Sequence, residues 1–481
     1  MGVRLTVLGD ALLDTDLVGA VNRLCPDAPV PVVDDVIEVP RPGGAALAAW
    51  LAATGGAEVS LVTPMADDQA AAVLRDLLAG RVDLHPVTCQ GSTPVKRRVR
   101  AGGQSVVRLD SGGLHAVGEL TRPAVDALST ADAVLVADYG RGITAVPSVR
   151  WLLETLPRQR PVVWDPHPHG APPIPGLQLV TPNLDEADGW ARRVAPGLDT
   201  VAGPWTRTAR WAAALVDAWA AGAVAVTMGE RGALLAYGTG APVVVPAPPV
   251  AAQDTCGAGD AFAAAAAMLL GAGRVTGEAV QGAVKAATAY VRAGGANAVS
   301  ASPDETMTSS TASWAAGDGS TGPPARSAAD VAAEVHAHHG TLVATGGCFD
   351  LLHAGHVACL EEARRLGDAL VVCVNSDASV RRLKGAARPV MPAEDRARVL
   401  QALSCVDAVE IFDEDTPRRL LRRLRPEVWA KGGDYAGAEL PESGVMDEWG
   451  GQVVTLPYVT GRSTTSLVAA LARTGSEHRR L

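Results

Sequence analysis

Asp254-Thr255-Cys256-Gly257-Ala258-Gly259-Asp260-Ala261-Phe262 is followed by a long Ala-rich run that is typical of a helix. Glycines at a helix start let backbone N–H groups point at an anion, and the helix dipole strengthens that attraction. The N–H groups of Gly257, Ala258 and Gly259 would therefore meet the charge on a transferring phosphoryl group. Asp260 would take a proton from the attacking hydroxyl. The stretch predicts a phosphoryl-transfer site, and a Gly-rich turn capped by an aspartate is the simpler alternative.

Acidic and Gly-rich segments earlier in the chain suit a sugar substrate. Asp14 closely follows the first predicted strand, and Asp138 follows another strand directly. Carboxylates at strand ends suit the hydroxyl groups of a sugar, with a solvated turn residue as the alternative for Asp14. Gly43 and Gly44 open a helix and permit a close approach of the sugar.

Two further segments suit a nucleotide. Thr227, Gly229 and Gly232 follow a predicted strand, where they could hold nucleotide phosphates. Asn183 and Glu186 could support Mg²⁺ and its waters, and a plain charge at a helix start is the alternative for Glu186. These segments predict a nucleotide and Mg²⁺ as the partners of the site.

Short apolar runs alternate with longer Ala/Leu-rich stretches from residue 3 to about residue 302. Nearly continuous apolar strands between helical stretches predict a mainly parallel, doubly wound α/β sheet. The ligands of such a sheet collect at the carboxyl ends of its strands. The predicted strands are 3–8, 133–137, 161–164, 178–180 and 223–227.

The second half contains Gly346-Gly-Cys-Phe-Asp-Leu-Leu-His-Ala-Gly-His356 between a predicted strand and a helix. His353 and His356 are three residues apart, so both lie on one face of the helix start. Paired imidazoles beside Gly355 can donate hydrogen bonds to a triphosphate and to the charge that grows during attack on its α-phosphorus. The string predicts nucleotidyl transfer, with a structural or metal-binding His pair as the alternative. The predicted strands of this half are 341–345, 369–375, 408–412, 427–430 and 452–456.

Composition and charge exclude several classes of protein. The chain has 481 residues with 42 basic and 52 acidic side chains, and its formal net charge of −10 argues against a general nucleic-acid binder. No apolar run reaches the roughly 20 residues of a membrane span, and the N-terminus lacks the regions of a signal peptide. The 7 cysteines are scattered without a CxxC pair, which indicates reduced thiols in a cytoplasm.

A change in composition near residue 303 divides the chain. Residues 303 to about 326 are rich in Ser, Thr, Gly and Pro and predict a flexible linker. Ser327 then resembles a helix cap, three residues before Asp330. We therefore expect a first domain over 1–305, a linker over 306–329 and a second domain over 330–481.

The first half resembles the ribokinase-like carbohydrate kinases, whose Asp-Thr-Cys-Gly-Ala-Gly-Asp signature includes the general base at Asp260. Its other motifs are similar to those of the heptose-7-phosphate kinase branch. A substrate that already carries a phosphate needs cations beside the sugar pocket. The candidate cations are Lys96, Arg98 and Arg108, with a solvated basic hairpin as the alternative.

The second half resembles the cytidylyltransferase-like nucleotidyltransferases, which have a smaller, Rossmann-like fold. The resemblance implies that Lys384, together with His353 and His356, stabilises charge on the leaving pyrophosphate. For Lys431, a surface charge at a strand end is the alternative. The residues that the resemblance places at the nucleotide are Gly347, Phe349, Asp350, Lys431, Gly432, Arg462, Ser463, Thr464 and Thr465.

In this order, the two halves resemble the bifunctional heptose-7-phosphate kinase/heptose-1-phosphate adenylyltransferase family. The resemblance implies ATP-dependent phosphorylation of D-glycero-D-manno-heptose 7-phosphate at its anomeric hydroxyl. It further implies adenylyl transfer from ATP to heptose 1-phosphate, which yields ADP-heptose and pyrophosphate. We expect a cytoplasmic homodimer that uses Mg²⁺ and binds neither nucleic acid nor a membrane.

Two departures from the family pattern keep alternatives open. Leu47 stands where the family has Asn, and His167 stands where it has Lys. The alternatives are the same two chemistries on another sugar phosphate or with CTP, and a pseudoenzyme that only binds nucleotide. The intact Asp260, His353 and His356 speak against the pseudoenzyme.

Overall fold

The computed structural model describes residues 2–101, 104–156, 159–198, 203–251, 254–300, 326–433 and 440–457. The chain forms two compact units. The first comprises Met1–Pro196, Ala212–Ala233 and Ala247–Met307, and the second comprises Gly197–Trp211, Leu234–Pro246 and Thr308–Leu481. The expected end of the first domain at residue 305 and the 306–325 part of the expected linker lie outside the described residues. The domain boundaries therefore stay a prediction.

Strands and helices alternate along most of the described chain. The strands up to residue 300 are β1 (Arg4–Gly9), β2 (Ala11–Leu24), β3 (Pro31–Gly44), β4 (Glu58–Pro64), β5 (Val82–Val87), β6 (Gln90–Ala101), β7 (Gln104–His115), β8 (Ala133–Ala137), β9 (Val162–Asp165), β10 (Leu179–Val180), β11 (Val224–Thr227), β12 (Ala233–Ala236) and β13 (Val243–Val245). The helices of this part are α1 (Ala45–Thr54), α2 (Gln69–Leu78), α3 (Arg122–Thr130), α4 (Pro147–Thr155), α5 (Leu184–Val194), α6 (Pro204–Trp219), α7 (Ala258–Gly271) and α8 (Thr276–Arg292).

The same alternation continues after residue 326. The strands there are β14 (Leu342–Gly347), β15 (Ala369–Asn375), β16 (Ala408–Phe412), β17 (Val428–Gly432) and β18 (Gln452–Leu456). The helices are α9 (Ala328–Ala337), α10 (Ala354–Arg364), α11 (Asp377–Lys384), α12 (Ala393–Gln401), α13 (Arg418–Leu424) and α14 (Ser443–Met446). No helix among the described residues is long and apolar enough to cross a membrane.

The first unit is built on a sheet with the strand order β11-β10-β9-β8-β1-β4-β5. Each neighbouring pair in this order is parallel, which confirms the predicted parallel α/β sheet. Every residue of β8 is buried, as expected for a strand that is covered on both faces. Asp10, Asp138 and Asp165 lie at the carboxyl ends of β1, β8 and β9. Because neighbouring parallel strands end at the same edge of a sheet, these carboxylates converge there.

A second sheet of the first unit, with the order β3-β2-β6-β7, was not expected from the sequence; we call it the small sheet. Strand β2 pairs antiparallel with β3 and parallel with β6, and β6 pairs antiparallel with β7. The register places Asp14 opposite Lys96 and Asp16 opposite Arg98. Most residues of β7 and the outer parts of β2 and β3 are exposed, so the alternation that marks a half-buried strand is weak there.

The second unit is built on a sheet with the order β16-β15-β14-β17-β18-β13-β12. The pairs from β16 to β13 are parallel. The observed bounds of β15, β16 and β18 are the predicted ones. Ser327 caps α9 by accepting a hydrogen bond of 3.1 Å from the N–H of Asp330, which confirms the predicted helix start.

Candidate active sites

The first candidate site begins at the N-terminus of α7. Gly257 caps this helix in the left-handed region, with φ 84°. A Cβ at Gly257 would lie 2.5 Å from Oη of Tyr290 and 2.7 Å from Cδ2 of Leu47, so only glycine fits. The N–H groups of the first helical turn have no partner within a helix, and Ala258 and Gly259 contribute two of them. The start of α7 therefore has the form of the predicted anion site.

Asp260 lies in the first turn of α7, and its side chain is buried. Its Oδ1 accepts a hydrogen bond of 2.6 Å from the hydroxyl of Tyr139. Burial raises the pKa of the Asp260 carboxyl to about 7, although the bond from Tyr139 and the ammonium of Lys96 oppose that rise. A carboxylate with a pKa near the working pH is suited to general-base chemistry.

The predicted sugar-binding residues of the small sheet lie beside this carboxylate. Asp14 is buried, and its Oδ1 lies 3.1 Å from Nη1 of Arg98. Burial raises the pKa of the Asp14 carboxyl, and Arg98 opposes that rise. A Cβ at Gly43 would lie 2.8 Å from Oδ2 of Asp14, so glycine lets β3 pass close to the carboxylate. Gly44 caps α1 with φ 59°.

The three predicted cations have different surroundings. The ammonium of Lys96 lies 5.5 Å from the centre of the Tyr139 ring. Arg98 contacts Asp14 and also donates to Sγ of Cys256 at 3.2 Å. Arg108 is largely exposed and pairs with Asp110 at 2.9 Å. Lys96 and Arg98 thus contact residues around Asp260, whereas Arg108 lies opposite Arg98 in the strand register and contacts Asp110.

Asp138 holds the loop that follows β8. Its Oδ1 accepts from the N–H of Gly140 at 2.8 Å, and its Oδ2 accepts from Oγ1 of Thr144 at 2.9 Å. Burial raises the pKa of the Asp138 carboxyl to about 6. Asp10 acts on the same loop, because its Oδ2 accepts from the N–H groups of Tyr139 at 3.2 Å and Arg141 at 2.9 Å.

A buried ion network beside the Gly-rich turn was not predicted from the sequence. Arg41 donates two hydrogen bonds of 2.8 and 3.0 Å to Asp16. Arg100 bridges Asp16 at 3.2 Å and Asp254 at 3.3 Å. Asp254 in turn accepts from the N–H of Cys256 at 2.9 Å. The network connects the small sheet to the turn that leads into α7.

The predicted nucleotide residues lie at the starts of α5 and of the turn after β11. Asn183 caps α5 by accepting from the N–H of Glu186 at 3.0 Å, and Glu186 accepts from the N–H of Asn183 at 2.9 Å. Burial raises the pKa of the Glu186 carboxyl to about 7. Thr227 pairs with Asn183 in an isolated β-bridge. Gly229 and Gly232 have φ values of 60° and 89°, which the tight turn requires.

The second candidate site begins at the N-terminus of α10, where the two histidines cap the helix. Nδ1 of His353 accepts from the N–H of Gly355 at 3.1 Å, and Nδ1 of His356 accepts from the N–H of His353 at 3.4 Å. Because each Nδ1 accepts, the proton of each neutral ring lies on Nε2. The ring centres are 3.9 Å apart in a stacked arrangement. Burial, with His353 and Lys384 adding to the effect, lowers the pKa of His356 to about 4.

Asp350 organises the loop between β14 and α10. Its carboxylate contacts Nη1 of Arg388 at 2.6 Å and accepts from the N–H groups of Val390 at 2.7 Å and Met391 at 3.1 Å. These bonds hold the pKa of the Asp350 carboxyl below its usual range against the effect of burial. Phe349 has a left-handed backbone, with φ 47°. Asp350 thus fixes the loop through protein contacts.

Arg396, for which no role was predicted, is fully buried beside this loop. It donates to the carbonyl oxygen of Asn375 at 2.9 Å and to Oδ1 of Asp377 at 2.8 Å. It also donates to the carbonyl oxygens of Met391 at 3.0 Å and of Cys348. Arg396 thereby connects the end of β15 to the loop that carries Phe349 and Asp350.

The two predicted lysines lie at the ends of α11 and β17. Lys384 is the last residue of α11 and lies close enough to lower the pKa of His356. Lys431 contacts Oε1 of Glu442, a buried carboxylate, at 2.7 Å. A Cβ at Gly432 would lie 2.5 Å from Sγ of Cys359, which explains the glycine. The predicted Arg462, Ser463, Thr464 and Thr465 lie outside the described residues.

Comparisons with known proteins cover nearly the whole chain. Residues 4–303 match the family model described as pfkB family carbohydrate kinase, and residues 344–450 match the model described as cytidylyltransferase-like. Over 97% of its length the chain is 56% identical to the bifunctional protein HldE of Streptomyces coelicolor, of which it covers 96%. It is 39% identical to HldE of Halorhodospira halophila over 98% of both chains. It is 36% identical to HldE of Gluconobacter oxydans over 97% of both chains.

Proposed function

The chain belongs to the HldE family of bifunctional proteins, with a carbohydrate kinase and a nucleotidyltransferase in one chain, and we propose the two reactions that it catalyses. The kinase transfers the γ-phosphoryl group of ATP to the anomeric hydroxyl of D-glycero-D-manno-heptose 7-phosphate. The nucleotidyltransferase transfers the adenylyl group of ATP to heptose 1-phosphate, giving ADP-heptose and pyrophosphate. Both reactions take place in the cytoplasm, which supplies ATP and keeps free cysteines reduced.

In the kinase reaction, Asp260 removes the proton of the anomeric hydroxyl as its oxygen attacks the γ-phosphorus. The N–H groups at the start of α7, from Gly257 to Gly259, meet the charge on the transferring phosphoryl group. Asp14 and Asp138 accept hydrogen bonds from sugar hydroxyls. Because catalysis of phosphoryl transfer is mostly positioning and charge stabilisation, these groups supply the base, the anion site and the contacts to the sugar hydroxyls.

Lys96 is the best-supported partner for the phosphate that the sugar already carries. Arg98 and Arg108 contact carboxylates at 3.1 and 2.9 Å, which neutralise part of their charge. Lys96 forms no ion pair within the described residues, and it lies over the Tyr139 ring beside the base. An ammonium group at that place suits a phosphate monoester.

Magnesium fits the kinase site as an ion carried by the phosphates. In the described parts of the chain no three His, Cys, Asp or Glu side chains are arranged to hold a metal. Mg²⁺ commonly keeps several waters and binds substrate phosphates with one or two carboxylates. Glu186 suits this role, since burial raises its pKa to about 7 and a cation would favour its charged form. Bound there beside Asn183, Mg²⁺ would offset the charge of the phosphates.

In the nucleotidyl-transfer reaction no covalent intermediate is needed. The sugar phosphate attacks the α-phosphorus in line, and pyrophosphate leaves. His353 and His356 donate from Nε2 to the oxygens on which charge grows, and Lys384 adds a positive charge. Lys431 holds the nucleotide, and Glu442 orients its ammonium through their 2.7 Å contact.

One observation carries this proposal. The chain matches a bifunctional relative over 97% of its length, and it contains both the Gly-rich start of α7 and the histidine-capped start of α10. Purified protein should be incubated with a panel of sugar phosphates, with ATP and separately with CTP, and the products identified by mass spectrometry. We expect heptose 1,7-bisphosphate and ADP-heptose. A preference for another sugar phosphate would favour the alternative that Leu47 and His167 raise. Absence of turnover with every substrate would contradict both enzymatic assignments.

We also propose that the chain forms a homodimer through the small sheet. Apolar side chains are exposed there, including Leu24 at 63%, Ile37 at 66% and Leu109 at 50%. Exposed apolar patches of this kind are typical of protein–protein contacts. Sedimentation should show a dimer that Ile37→Lys converts to a monomer. Val275→Lys, at a position 67% exposed outside the small sheet, is the matched control and should leave the dimer intact. A monomeric wild-type protein would refute the proposal.

A further inference from the structure

Tyr139 contacts the reactive carboxylate of the kinase site through one hydrogen bond. Its hydroxyl lies 2.6 Å from Oδ1 of Asp260 and donates to it. On the premise of the proposed kinase activity, we propose that Tyr139 is a positioning residue for the general base. Its hydroxyl fixes one carboxylate oxygen of Asp260, keeps that carboxylate ionised and leaves the second oxygen to receive the proton of the sugar hydroxyl.

Tyr139 is itself held on several sides. Asp10 accepts a hydrogen bond of 3.2 Å from its backbone N–H. The ammonium of Lys96 lies 5.5 Å from the centre of its ring. The ring of His167 stacks with it at 6.3 Å between centres and 26° between planes. A side chain that is held at its backbone and its ring has little freedom, so its hydroxyl stays directed at Asp260.

The charges around Asp260 show why a donor is needed. Carboxylates of Asp14 and Glu186 face Asp260 and raise its pKa beyond the effect of burial. Asp165 belongs to the same group of interacting carboxylates. Against them stand the ammonium of Lys96 and the hydroxyl of Tyr139. Removal of the hydroxyl leaves a buried carboxylate among like charges with one donor fewer, so that it binds its proton more tightly.

Tyr139 remains a donor at every working pH. Burial, with Asp260 adding to the effect, raises the pKa of its phenol well above the ordinary value. The phenol therefore does not compete with Asp260 as a base. The two residues therefore have different roles. Asp260 accepts and releases the proton, whereas Tyr139 fixes the position of the Asp260 carboxylate and its affinity for the proton.

Tyr139→Phe removes the hydroxyl and retains the ring that Lys96 and His167 contact. The measurement is kcat/KM for the sugar phosphate from pH 5.5 to pH 9 at saturating ATP, with adenylyl transfer by the same preparation as an internal control of folding. We expect the acidic limb of the kinase profile to move up by about one pH unit, and the rate at pH 6 to fall roughly tenfold. Titration of the substrate's own phosphate affects the pH profiles of the wild type and the variant equally, so it cancels when the two profiles are compared. Adenylyl transfer should be unchanged.

Tyr290→Phe is the matched control. The hydroxyl of Tyr290 donates to the carbonyl oxygen of Cys256 at 2.8 Å and not to the base, so this variant should leave the acidic limb in place. An acidic limb that Tyr139→Phe does not move, or that both variants move equally, would overturn the inference. A wild-type protein without kinase activity would refute the proposed function itself, and the inference with it.

A second variant decides the matter if Tyr139→Phe does not fold. Site-specific replacement of Tyr139 by 3-fluorotyrosine retains the shape of the side chain and makes the phenol a stronger donor. The acidic limb should then move to lower pH, opposite to the shift expected for phenylalanine. A purely structural role for the ring predicts no movement, and that result would overturn the inference.

Discussion

Asp260→Asn removes the proposed base and a buried charge together, and the two effects have opposite signs. Loss of a general base typically costs about 10²–10⁴-fold in rate, so kinase activity should be nearly abolished. The free energy of unfolding should instead increase. The pKa of the carboxyl rises on folding from 3.8 to about 7, because the charged form is buried. Asparagine carries no charge to bury, and its amide oxygen can still accept the hydrogen bond from Tyr139.

The size of the stability effect follows from the pH interval. A raised pKa contributes stability that is complete below pH 3.8 and is lost as the pH rises through about 7. From pH 5 to pH 7 the folded state still holds a proton that the unfolded state has released. Two pH units at about 1.4 kcal/mol each give roughly 3 kcal/mol, which the wild type loses between pH 5 and pH 8 and the variant does not.

Unfolding by denaturant at pH 5 and pH 8, in the absence of ATP, measures this difference. Asp126→Asn is the matched control, since its side chain is 56% exposed on α3 and the same change of charge should alter the pH dependence little. Adenylyl transfer should be retained in both variants. Kinase activity within tenfold of the wild type, or a pH dependence of stability equal to that of the wild type, would refute the assignment of Asp260 as a buried base.

Three further variants test other parts of the two sites. His356→Ala should lower kcat of adenylyl transfer by about 10²–10³-fold, which is the scale of one lost transition-state donor. The KM for ATP should change much less, and kinase activity should not change. A stable variant with near-normal kcat would remove His356 from the mechanism. Gly257→Ala should reduce kinase activity at least about tenfold, because a Cβ would lie 2.5 Å from Oη of Tyr290. Gly189→Ala is the control and should have no effect, because nothing lies within 4 Å of the added Cβ. Equal kinase activities of the two variants would contradict the packing argument. Glu442→Gln should raise KM for ATP in adenylyl transfer several-fold, because the amide no longer holds the ammonium of Lys431 by charge; an unchanged KM would show that the 2.7 Å contact has no part in nucleotide binding.

Much of the sheet architecture could be predicted from the sequence. Strands such as Ala133–Ala137 are buried on both faces and therefore consist of continuous apolar runs with clear ends. The small sheet could not be predicted in this way, because many of its side chains face water and its strands lack a regular apolar pattern. The helix start at Ser327 was predictable because a cap is a local interaction.

The candidate sites were predictable where motifs are local and not where partners are distant in the chain. The Gly-rich turn before Asp260 and the His353/His356 pair are contiguous strings, and the structure has both at helix starts. The bond from Tyr139 to Asp260 joins residues 121 positions apart, and no local pattern shows it. The same holds for Arg100, which contacts Asp254 across 154 positions. Alternating basic residues on β6 were the one signal in the sequence for that network.

The histidine caps of α10 give the two activities different responses to acid. His356, with a pKa of about 4, stays neutral from pH 6 to pH 8, so its Nδ1 remains an acceptor and its Nε2 a donor throughout that range. Asp260, with a pKa of about 7, is about half ionised at pH 7 and about one-tenth ionised at pH 6. A fall in pH from 7 to 6 would therefore slow the kinase reaction while nucleotidyl transfer continues. Heptose 1-phosphate that was already present would still be converted to ADP-heptose.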